Sequence, residues 1–521
     1  MNCFCNTIPA HPAQLPPPGD DSPRSQNLSS SVYPQVMQYR FFCLALLLVL
    51  TLPAQPQTPH ILPYAPGKSI TLSLPDSLDI NIAATGLHRV RFFARSPDNR
   101  IFVTDMHDLS DNTQGSIFIL EGWNPTTHTF THITHYLDHL RNPNNLAFWT
   151  DPATHQTWLY LPLTDRLVRY KYNAGDTAPT APPETLLRFP NYGLNYKYGG
   201  WHLTRTVAIA PVGNGPNSKT RIFVAAGSSC NYCQEREVLR AAIVSMDPDG
   251  QHPTLIAQGM RNAVDLHYVP AFENGTLFAT NMGDDHLGDK LPEDTFFAVD
   301  PAPKTPLNYG WPTCYFANGK PVHDTTPLPT LNDPTAIAPV PPTDSVYGKQ
   351  TGVATAGANL TAGGGHAFAP DPNSAIGNAP APLASCEHVP PAFTTFAAHS
   401  SPLGFECFPD SDAALHDTFL VALHGASHPR IGTGYRVVRF TPTDRTPRDF
   451  ITGFLTSARG TSSARGTSTD HGKPGARGKP TVHGRPCGIL RIDPDTFLLT
   501  DDYLGLVYYI HPRGTNPTPG P

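Results

Sequence analysis

The decapeptide SPDNRIFVTD (96–105) combines a polar turn with a short strand of β-branched and aromatic residues. The same order of turn, strand and polar end recurs in DPATHQTWLYLP (151–162), ENGTLFATN (273–281) and DPDTFLLTDD (493–502). Repeated units of about 40 to 60 residues, each with several strands, are typical of β-propellers. The sequence therefore predicts an all-β fold, a six-bladed β-propeller with long loop insertions. A pair of β-sandwiches is the alternative, although it does not require the repeated turn.

The composition also favours short strands joined by loops. The chain has 521 residues with 58 prolines and 41 glycines, which disfavour long helices. Strand-length apolar segments bounded by Gly, Pro, Asn or Asp predict a single propeller domain over residues 79–512. Two segments poor in strand patterns, at about 327–391 and 457–484, are predicted to be surface insertions.

The charge and the N-terminal segment bear on partners and location. The formal net charge is −6 and the chain has no basic run, so we expect no nucleic-acid partner. Residues 37–54 contain a basic residue followed by the apolar run FFCLALLLVL (41–50), the pattern of a secretory signal peptide. We interpret residues 1–36 as a probable non-native leader. The protein is expected to be periplasmic or secreted, with no stable membrane insertion after signal cleavage; an uncleaved anchor is the alternative.

A second stretch, residues 198–240, carries the first candidate for chemistry. Gly199 and Gly200 form a tight bend, and His202 follows just before an alternating apolar run. A histidine at the start of a strand can project into a cleft, and its usual pKa suits proton transfer near neutral pH. We therefore predict that His202 is a general base; a histidine that only caps the strand end is the alternative.

Several sequence blocks, in this order and spacing, resemble the glucose/sorbosone dehydrogenase family of pyrroloquinoline quinone (PQQ) sugar dehydrogenases, which are six-bladed propellers. The resemblance spans about residues 80–512 and is closest to the sorbosone-dehydrogenase-like branch. The blocks that carry it are GGWHLTRT (199–206), GSSCNYC (227–233), RAAI followed by DPDG (240–250), GMRNAVDL (259–266), NMGDDHLGDKLPED (281–294), NYGWPTCY (308–315), HSSPLGFE (399–406), FLVALHGAS (419–427) and GRPCGI (484–489).

The resemblance implies roles for the central residues. The family's general base is a histidine three residues before an arginine, which corresponds to His202 before Arg205. The family's Arg-Asn pair, which holds PQQ and its reactive carbonyl, corresponds to Arg261 and Asn262. A guanidinium beside a quinone oxygen stabilises the negative charge that develops during hydride transfer, so Arg261 is predicted to be both catalytic and cofactor-binding. An exposed arginine at a strand end is the alternative for Arg261.

The resemblance also implies a calcium ion beside PQQ, bound through backbone carbonyls of a glycine-containing loop. Gly283 and Asp284 occupy the matching positions. Oxygen ligands suit Ca²⁺, and this loop is rich in them. The family usually has a different residue after the glycine, so Asp284 is predicted either to coordinate the ion directly or to alter the site. A solvated acidic loop over residues 284–294 is the alternative.

At three positions the sequence departs from the family pattern. A lysine that contacts a PQQ carboxylate in the glucose-oxidising branch corresponds to His424, and the arginines of a later loop are represented only by Arg485. Asn144 lies where the sorbosone-like branch often has histidine. All three residues are predicted to bind the cofactor, and the changes imply a tricarboxylate that is less completely neutralised.

Six cysteines follow the signal segment, an even number that favours disulfides in an exported chain and allows fifteen full pairings. A metal site at the CxxC motif is the alternative, although a structural zinc site normally takes four ligands and no second such motif appears. The three predicted bridges are Cys230–Cys233 within one loop, Cys314–Cys386 at the base of the long insertion, and Cys407–Cys487 between late blocks.

Together these features predict a PQQ-dependent sugar dehydrogenase, of sorbosone or glucose type, that oxidises an aldose or a related sugar aldehyde or hemiacetal. His202 would remove a hydroxyl proton while hydride passes to PQQ, and electrons would continue to an acceptor protein or a quinone. A non-catalytic propeller that binds a glycan or a protein is the alternative. A lactonase-type hydrolase would need a central ring of Asp, Asn and Glu ligands that these blocks do not supply.

Overall fold

The computed structural model describes residues 56–189, 202–213, 218–235, 237–272, 275–328, 382–409, 414–456 and 479–514. The predicted leader and signal peptide, Gly199 and Gly200, and most of the two predicted insertions lie outside these residues. In the part of the chain that is described, no helix is long and apolar enough to cross a membrane.

The described residues form 31 strands and no helix, so the all-β prediction is confirmed. The first three strands are β1 (Gln57–Ala65), β2 (Lys68–Pro75) and β3 (Leu78–Ala84). Blade 1 follows with β4 (Val90–Arg95), β5 (Ile101–Asp105), β6 (Gly115–Asn124) and β7 (Thr129–Leu140). Blade 2 consists of β8 (Ala147–Thr150), β9 (Thr157–Pro162), β10 (Arg166–Tyr172) and β11 (Glu184–Arg188).

Blades 3 and 4 each include a strand that is not consecutive in the chain with the others of the blade. Blade 3 contains β12 (Arg205–Val212), β13 (Lys219–Ala226), β14 (Ala242–Met246) and β15 (Thr254–Gln258); blade 4 begins with β16 (Ala263–Val269), β17 (Thr276–Asn281) and β18 (Asp294–Val299). Strand β19 (Leu307–Asn308) then adds to blade 3 in parallel with β15. The hairpin β20 (Cys314–Ala317) and β21 (Lys320–His323) follows, and β22 (Thr394–Phe396) completes blade 4.

Blades 5 and 6 complete the predicted six. Blade 5 contains β23 (Pro402–Phe408), β24 (Thr418–Leu423), β25 (Arg436–Phe440) and β26 (Arg448–Ile451), and β27 (Leu455–Thr456) pairs with β28 (Thr481–Val482) in a short hairpin. Blade 6 contains β29 (Pro486–Asp493), β30 (Thr496–Asp501) and β31 (Leu506–Pro512), with β3 as its outermost strand. The arrangement of six sheets confirms the propeller and excludes the alternative of two β-sandwiches.

The ring is closed by the two ends of the folded chain. Strand β3 pairs antiparallel with β31, in a ladder that runs from Leu78 opposite Pro512 to Ala84 opposite Val507. Blade 6 is therefore built from residues more than 400 positions apart. Because this pairing gives the last blade its fourth strand, closure leaves no gap between blades 6 and 1.

Apolar side chains fill the space between neighbouring blades, and the contact between blades 4 and 5 is aromatic. Phe278 and Phe296 of blade 4 stack with ring centroids 5.2 Å apart, and Phe419 and Phe440 of blade 5 stack at 5.4 Å. Phe296 meets Phe419 edge-on at 5.7 Å. Burying each phenylalanine contributes about 1.5–3 kcal/mol. This packing fixes the two blades that supply most of the cavity described below.

The inner strands surround a central channel in the order β4, β8, β12, β16, β23 and β29, each touching the next. They all begin at the same end of the channel. Residues just before or at the start of these strands therefore converge, although they are distant in sequence. His202 lies just before β12, the 261–262 pair lies just before β16, and Arg91 is the second residue of β4.

Two of the three predicted disulfides, Cys230–Cys233 and Cys314–Cys386, are confirmed. The first excludes the metal alternative at the CxxC motif: Glu235 approaches the two sulfurs within 4.8 Å, but the sulfurs are bonded to each other. The second joins residues 72 positions apart, so it removes much of the freedom of the intervening chain in the unfolded state.

The third predicted bridge, Cys407–Cys487, is wrong, because no disulfide joins these two buried cysteines. Gly404 is the residue of β23 that meets the backbone of β29 at Cys487. Cys407 lies three residues further along its strand, which offsets the two residues by about 10 Å. A bridge requires Cα atoms within about 7 Å. The two side chains accordingly pack into different apolar clusters.

Alkylation of the unfolded but unreduced protein should label Cys407 and Cys487 and leave the other four cysteines of the propeller unlabelled. Labelling of Cys230, Cys233, Cys314 and Cys386 should require prior reduction. Peptide mapping by mass spectrometry measures both results, and a disulfide-linked peptide pair containing Cys407 and Cys487 would contradict the structure.

Candidate active site

A cavity of about 550 Å³ opens at the end of the ring where the inner strands begin. Its volume is in the range of small-molecule sites. Blades 1, 3, 4 and 5 and their connecting loops supply the wall. Its polar side chains are those of Arg91, His202, Thr204, Arg261, Asn262, Asp285, Asp289, Asp294, His399, Ser401, His424, Ser427 and His428.

His202 is held in one tautomer by the loop that follows β13. Its Nδ1 lies 3.0 Å from both the carbonyl oxygen and the hydroxyl oxygen of Ser228. The Ser228 hydroxyl donates its own hydrogen to the Cys230 carbonyl at 2.6 Å, so both oxygens that face the ring are acceptors. Nδ1 therefore carries the proton, and Nε2 is the basic nitrogen.

The surroundings of His202 keep it neutral. Burial lowers the pKa of His202 well below its usual value, and the positive charge of Arg261 acts in the same direction. Space around the ring is also restricted, since a Cβ at Gly227 would clash with the Asn262 side-chain oxygen and lie 2.6 Å from the His202 Cβ. A neutral imidazole held in this way can accept a proton at neutral pH.

Arg261 is buried, with 4% of the residue exposed, so the alternative of an exposed strand-end arginine is wrong. Its Nε donates to the Asn231 carbonyl at 2.9 Å, and Nη2 donates to the Asn231 side-chain oxygen at 2.7 Å. Nη1 donates to the Gly283 carbonyl at 2.6 Å. The nearest carboxylate, Asp285, lies 3.6 Å from Nη2. Three neutral oxygens therefore orient the guanidinium, which keeps its charge in a poorly solvated position.

Asn262 presents an unsatisfied acceptor. Its backbone N–H donates to the Asn281 side-chain oxygen at 3.0 Å, and its Nδ2 lies 3.4 Å from the Met282 sulfur. The Asn262 Oδ1 is buried and accepts no hydrogen bond from the described residues. Leaving such an acceptor unsatisfied costs about 1–3 kcal/mol.

The structure separates the two neighbouring acidic residues of the predicted calcium loop. The cavity is lined by Gly283 and Asp285, whereas the Asp284 side chain is buried on the other side of the loop. The Gly283 carbonyl already accepts the Arg261 hydrogen bond, so a cation at this oxygen would share it with a guanidinium. Asp285, rather than Asp284, offers a carboxylate on the cavity side.

Asp284 belongs to an ion-pair network behind the loop. One nitrogen of His286 lies 2.6 Å from Asp284 and the other lies 2.7 Å from Asp324, while Tyr232 stacks on the ring at 3.7 Å. Burial alone would lower the pKa of His286, but the two carboxylates outweigh it and raise the pKa. The protonated imidazolium therefore ties the candidate calcium loop to the segment that follows the β20–β21 hairpin.

Arg91 lines the cavity, although the sequence analysis did not single it out. Its Nη1 donates to Asp502 at 2.9 Å, and Nε and Nη2 donate to the Asn144 side-chain oxygen at 3.2 and 2.9 Å. Asn144 is fully buried and is not part of the cavity wall, since its amide donates to Thr206 and Val264. Asn144 thus supports a cavity cation and does not itself reach the cavity. An arginine at the start of an otherwise apolar strand was the available signal.

Asp502 is the shared ionic and hydrogen-bonding partner of two arginines and a histidine. It lies 2.9 Å from Arg91, 3.4 Å from Arg89 and 2.7 Å from His424 Nε2. Burial alone would raise the pKa of Asp502, but His424 and the two arginines lower it, so the carboxylate is ionised at neutral pH. Asp502 ends the fourth repeat quoted above, but no local sequence pattern predicts that it contacts these three side chains.

His424 and Arg485 differ in their access to the cavity. His424 lines the wall. Arg485 does not, because its guanidinium donates to the carbonyls of Gly425 at 2.8 Å and Ala426 at 3.0 Å and packs over the Tyr435 ring. Arg485 therefore holds the backbone that follows His424.

Asp294 and His399 also line the cavity without having been predicted. The two carboxylate oxygens of Asp294 accept the backbone N–H groups of Gly283 and Ser401, each at 2.8 Å, and burial raises the pKa of Asp294 to about 7. His399 Nδ1 lies 3.0 Å from Asp285. Both residues fall within sequence blocks quoted above, so the blocks indicated segments of the cavity wall even where the individual residues were not predicted.

The fold and the site define a six-bladed propeller with a partly cationic cavity at one end of its channel. The chain belongs to the TrAA12-like family, whose family model matches residues 138–456, more than half of the sequence. A comparison with curated proteins finds no match.

Solved structures with the same fold include proteins from Coprinopsis cinerea and Trichoderma reesei. The holo form of the pyranose dehydrogenase PQQ domain from Coprinopsis cinerea is 17% identical with a TM-score of 0.52, over 88% of this chain and 98% of that one. The iodide structure of Trichoderma reesei carbohydrate-active enzymes family AA12 is 18% identical with a TM-score of 0.52, over 84% of this chain and 97% of that one. A calcium structure of the same Trichoderma reesei protein family is 17% identical with a TM-score of 0.52, over 84% and 96%. At these identities the likeness concerns the fold.

Replacing His286 by Gln should destabilise the protein by roughly 1–3 kcal/mol near pH 6, the range for hydrogen bonds to charged groups. Because the folded-state pKa of His286 is raised, its stabilisation is fully present below the usual histidine pKa and is lost as the pH rises through the folded value. The difference between wild type and variant should therefore shrink between pH 6 and pH 9, as measured by denaturant unfolding.

The matched control is His252→Gln, which removes a histidine that is 82% exposed and lies 2.6 Å from Asp247. It should change the free energy of unfolding by less than about 1 kcal/mol at every pH. Equal losses for the two variants would show that burial of His286 between two carboxylates has no energetic consequence.

Proposed function

We propose that this chain is a sugar oxidoreductase that uses PQQ as its cofactor. The observation that carries the proposal is that a neutral base, His202, and a buried cation held by neutral oxygens, Arg261, line the same cavity. Oxidation of a hydroxyl by hydride transfer requires a base for the proton and fixed positive charge at the acceptor. Membership of the TrAA12-like family, and a fold shared with a PQQ domain, support the same assignment.

The residues of the cavity fit a planar anionic cofactor. Arg91, Arg261 and His424 bring cationic or hydrogen-bonding groups to the wall, and Asn262 lies beside them. Apolar residues between them, such as Met282, provide flat contact surface. These residues would hold PQQ, which when bound supplies the quinone that accepts hydride from the sugar.

Asn144 and Arg485 would act on the cofactor indirectly. Asn144 holds two nitrogens of Arg91, and Arg485 holds the carbonyls directly after His424. We therefore keep both residues in the cofactor site as supports and assign the direct contacts to Arg91 and His424. In this arrangement Arg91 supplies positive charge in place of the lysine that corresponds to His424 and of the arginines of the later loop.

His202 would remove the proton of the sugar hydroxyl at Nε2. Its Nδ1–H stays bonded to Ser228, so the ring keeps its orientation while the other nitrogen gains the proton. Burial and Arg261 disfavour the imidazolium, so the proton would leave readily for solvent once the sugar has been oxidised. Arg261 would stabilise negative charge on the acceptor from a position fixed by three hydrogen bonds.

A calcium ion is proposed for the loop at Gly283, where backbone carbonyl and carboxylate oxygens are close together. Asp285 and Asp289 line the cavity and offer the hard oxygen ligands that Ca²⁺ prefers. Asp284 would contribute through its backbone only, because its carboxylate pairs with His286. The ion would also help to offset the negative charge of the cofactor.

The substrate is proposed to be an aldose or a related sugar aldehyde or hemiacetal, and the sorbosone-like resemblance does not decide between them. Electrons would pass to an acceptor protein or to a quinone. Two disulfides support a location in an oxidising compartment, either the periplasm or the extracellular medium.

The deciding experiment is a titration of the mature protein with PQQ and Ca²⁺ followed by absorbance, and then a dye-linked assay with a panel of aldoses. Saturable binding together with turnover would support the proposal. Binding of a glycan or a protein without uptake of PQQ would instead favour a non-catalytic propeller.

Replacing His202 by Ala should lower kcat by about 10²- to 10⁴-fold, because the general base is lost. PQQ binding should change little, since the cationic residues are retained. Steady-state kinetics beside a PQQ titration measures the two effects separately, with the surface variant His252→Ala as control. Near-normal turnover of the His202 variant would remove this residue from the role of base.

Replacing Arg261 by Lys should weaken PQQ retention and slow reduction by the sugar, even though the charge is kept. An ammonium group cannot reproduce the planar three-bond arrangement with Asn231 and Gly283. Absorbance-monitored dilution measures cofactor loss, and stopped-flow mixing measures reduction. Arg436→Lys, at a pair with Asp449 whose side chains are 35% and 49% exposed, is the matched control; reconstitution equal to this control would limit Arg261 to a structural role.

A further inference from the structure

The loop between β13 and β14 contacts two side chains that line the cavity and is closed by the Cys230–Cys233 disulfide. Ser228, before the bridge, fixes the tautomer of His202. Asn231, inside the bridge, contacts Arg261. Both proposed catalytic side chains are therefore oriented by the same seven residues, 227–233.

Asn231 supplies two of the three acceptors that hold the Arg261 guanidinium. Its carbonyl accepts from Nε at 2.9 Å, and its side-chain oxygen accepts from Nη2 at 2.7 Å. The same side-chain oxygen accepts the backbone N–H of Asp285 at 3.0 Å. One residue of blade 3 thus fixes both the arginine and the candidate calcium loop of blade 4.

The hydrogen bonds leave Arg261 with donors for a ligand. A guanidinium has five N–H groups, and the bonds to Asn231 and Gly283 use three of them. One N–H on each terminal nitrogen is then left for an anionic ligand in the cavity.

The neutrality of Asn231 matters as much as its position. A carboxylate at this position would accept the same hydrogen bond more strongly, but it would neutralise the guanidinium at a distance of about 3 Å. An amide oxygen orients the arginine and leaves its charge for the ligand. Asp285, the nearest carboxylate, lies further away at 3.6 Å and is 58% exposed at its side chain, so solvent screens it.

We infer that Asn231 is a positioning residue that sets the orientation and preserves the charge of Arg261, and that the Cys230–Cys233 bridge holds Asn231 in place. The role in catalysis rests on the proposed function, whereas the positioning of Arg261 does not. The bridge is buried, with 2% and 0% of its two cysteines exposed, so it acts as a fixed structural closure of the loop.

Crystal structures of Asn231→Ala and the wild-type protein, both without cofactor, test the positioning directly. The Ala variant loses the side-chain oxygen that accepts from Arg261 Nη2 and from the Asp285 N–H, and it keeps the backbone carbonyls of residue 231 and Gly283, so the guanidinium should rotate away from its wild-type orientation and the Asp285 backbone should shift. An unmoved guanidinium would overturn the inference. If the wild-type protein does not bind PQQ, the proposed function fails but this comparison still decides the positioning role.

Asn231→Asp tests the charge. The nearly isosteric carboxylate should keep Arg261 in place in the crystal but weaken PQQ binding by about 10-fold or more, because the cation is neutralised. The reduction rate should fall while KM for the sugar changes by less than about 2-fold. Asn124→Asp is the matched control, since its side-chain oxygen also accepts backbone N–H groups but lies at a turn of blade 1. Binding equal to this control would contradict the charge argument.

The double variant Cys230→Ala/Cys233→Ala tests the bridge. It should displace Arg261 in the crystal as Asn231→Ala does, and it should weaken PQQ binding to a similar extent. The corresponding double variant at Cys314 and Cys386 should lower the stability of the fold but leave PQQ affinity within about 2-fold. An undisturbed Arg261 without the Cys230–Cys233 bridge would show that the disulfide has no part in positioning.

Discussion

The antiparallel ladder between β3 and β31 is the interaction on which the rest of the structure depends. It joins the first and last strands of the ring, so the entropy lost in bringing together residues more than 400 positions apart must be recovered by the completed blade. Once the ring is closed, six inner strands begin at one end of a common channel. The cavity is a consequence of this closure, because its wall combines residues from Arg91 in blade 1 to Ile431 in blade 5.

The arginines inside the channel are not each paired with a carboxylate of their own. Asp502 serves Arg91, Arg89 and His424 together, and neutral oxygens, not carboxylates, hold Arg261. Burying unpaired arginines would cost several kcal/mol each, but hydrogen bonds to carbonyl and amide oxygens offset part of this cost. The cavity wall therefore presents the guanidinium groups of Arg91 and Arg261 together with the carboxyl groups of Asp285, Asp289 and Asp294.

The strand pattern and the sequence blocks predicted the fold and the core of the site, because both depend on local sequence. The repeats identified the blades, and His202, Arg261 and Asn262 do meet in one cavity. Arg91 was not predicted, because its position near the start of β4 is only a weak local signal and ring geometry is what brings it to the site. The Cys407–Cys487 pairing was wrong for the same reason: the stagger between β23 and β29 is a property of the assembled ring and cannot be read from either strand.

The buried thiol of Cys487 has a consequence for how the dynamics of this protein can be observed. Burial raises its pKa to about 12, and the residue is fully enclosed at the channel wall of blade 6. A thiol in this state reacts only when the blade opens, since reaction needs both access and the thiolate. The rate of its slow modification in the native protein would therefore report how often the ring opens at the blade that joins its two ends, in the way that amide hydrogen exchange reports local unfolding.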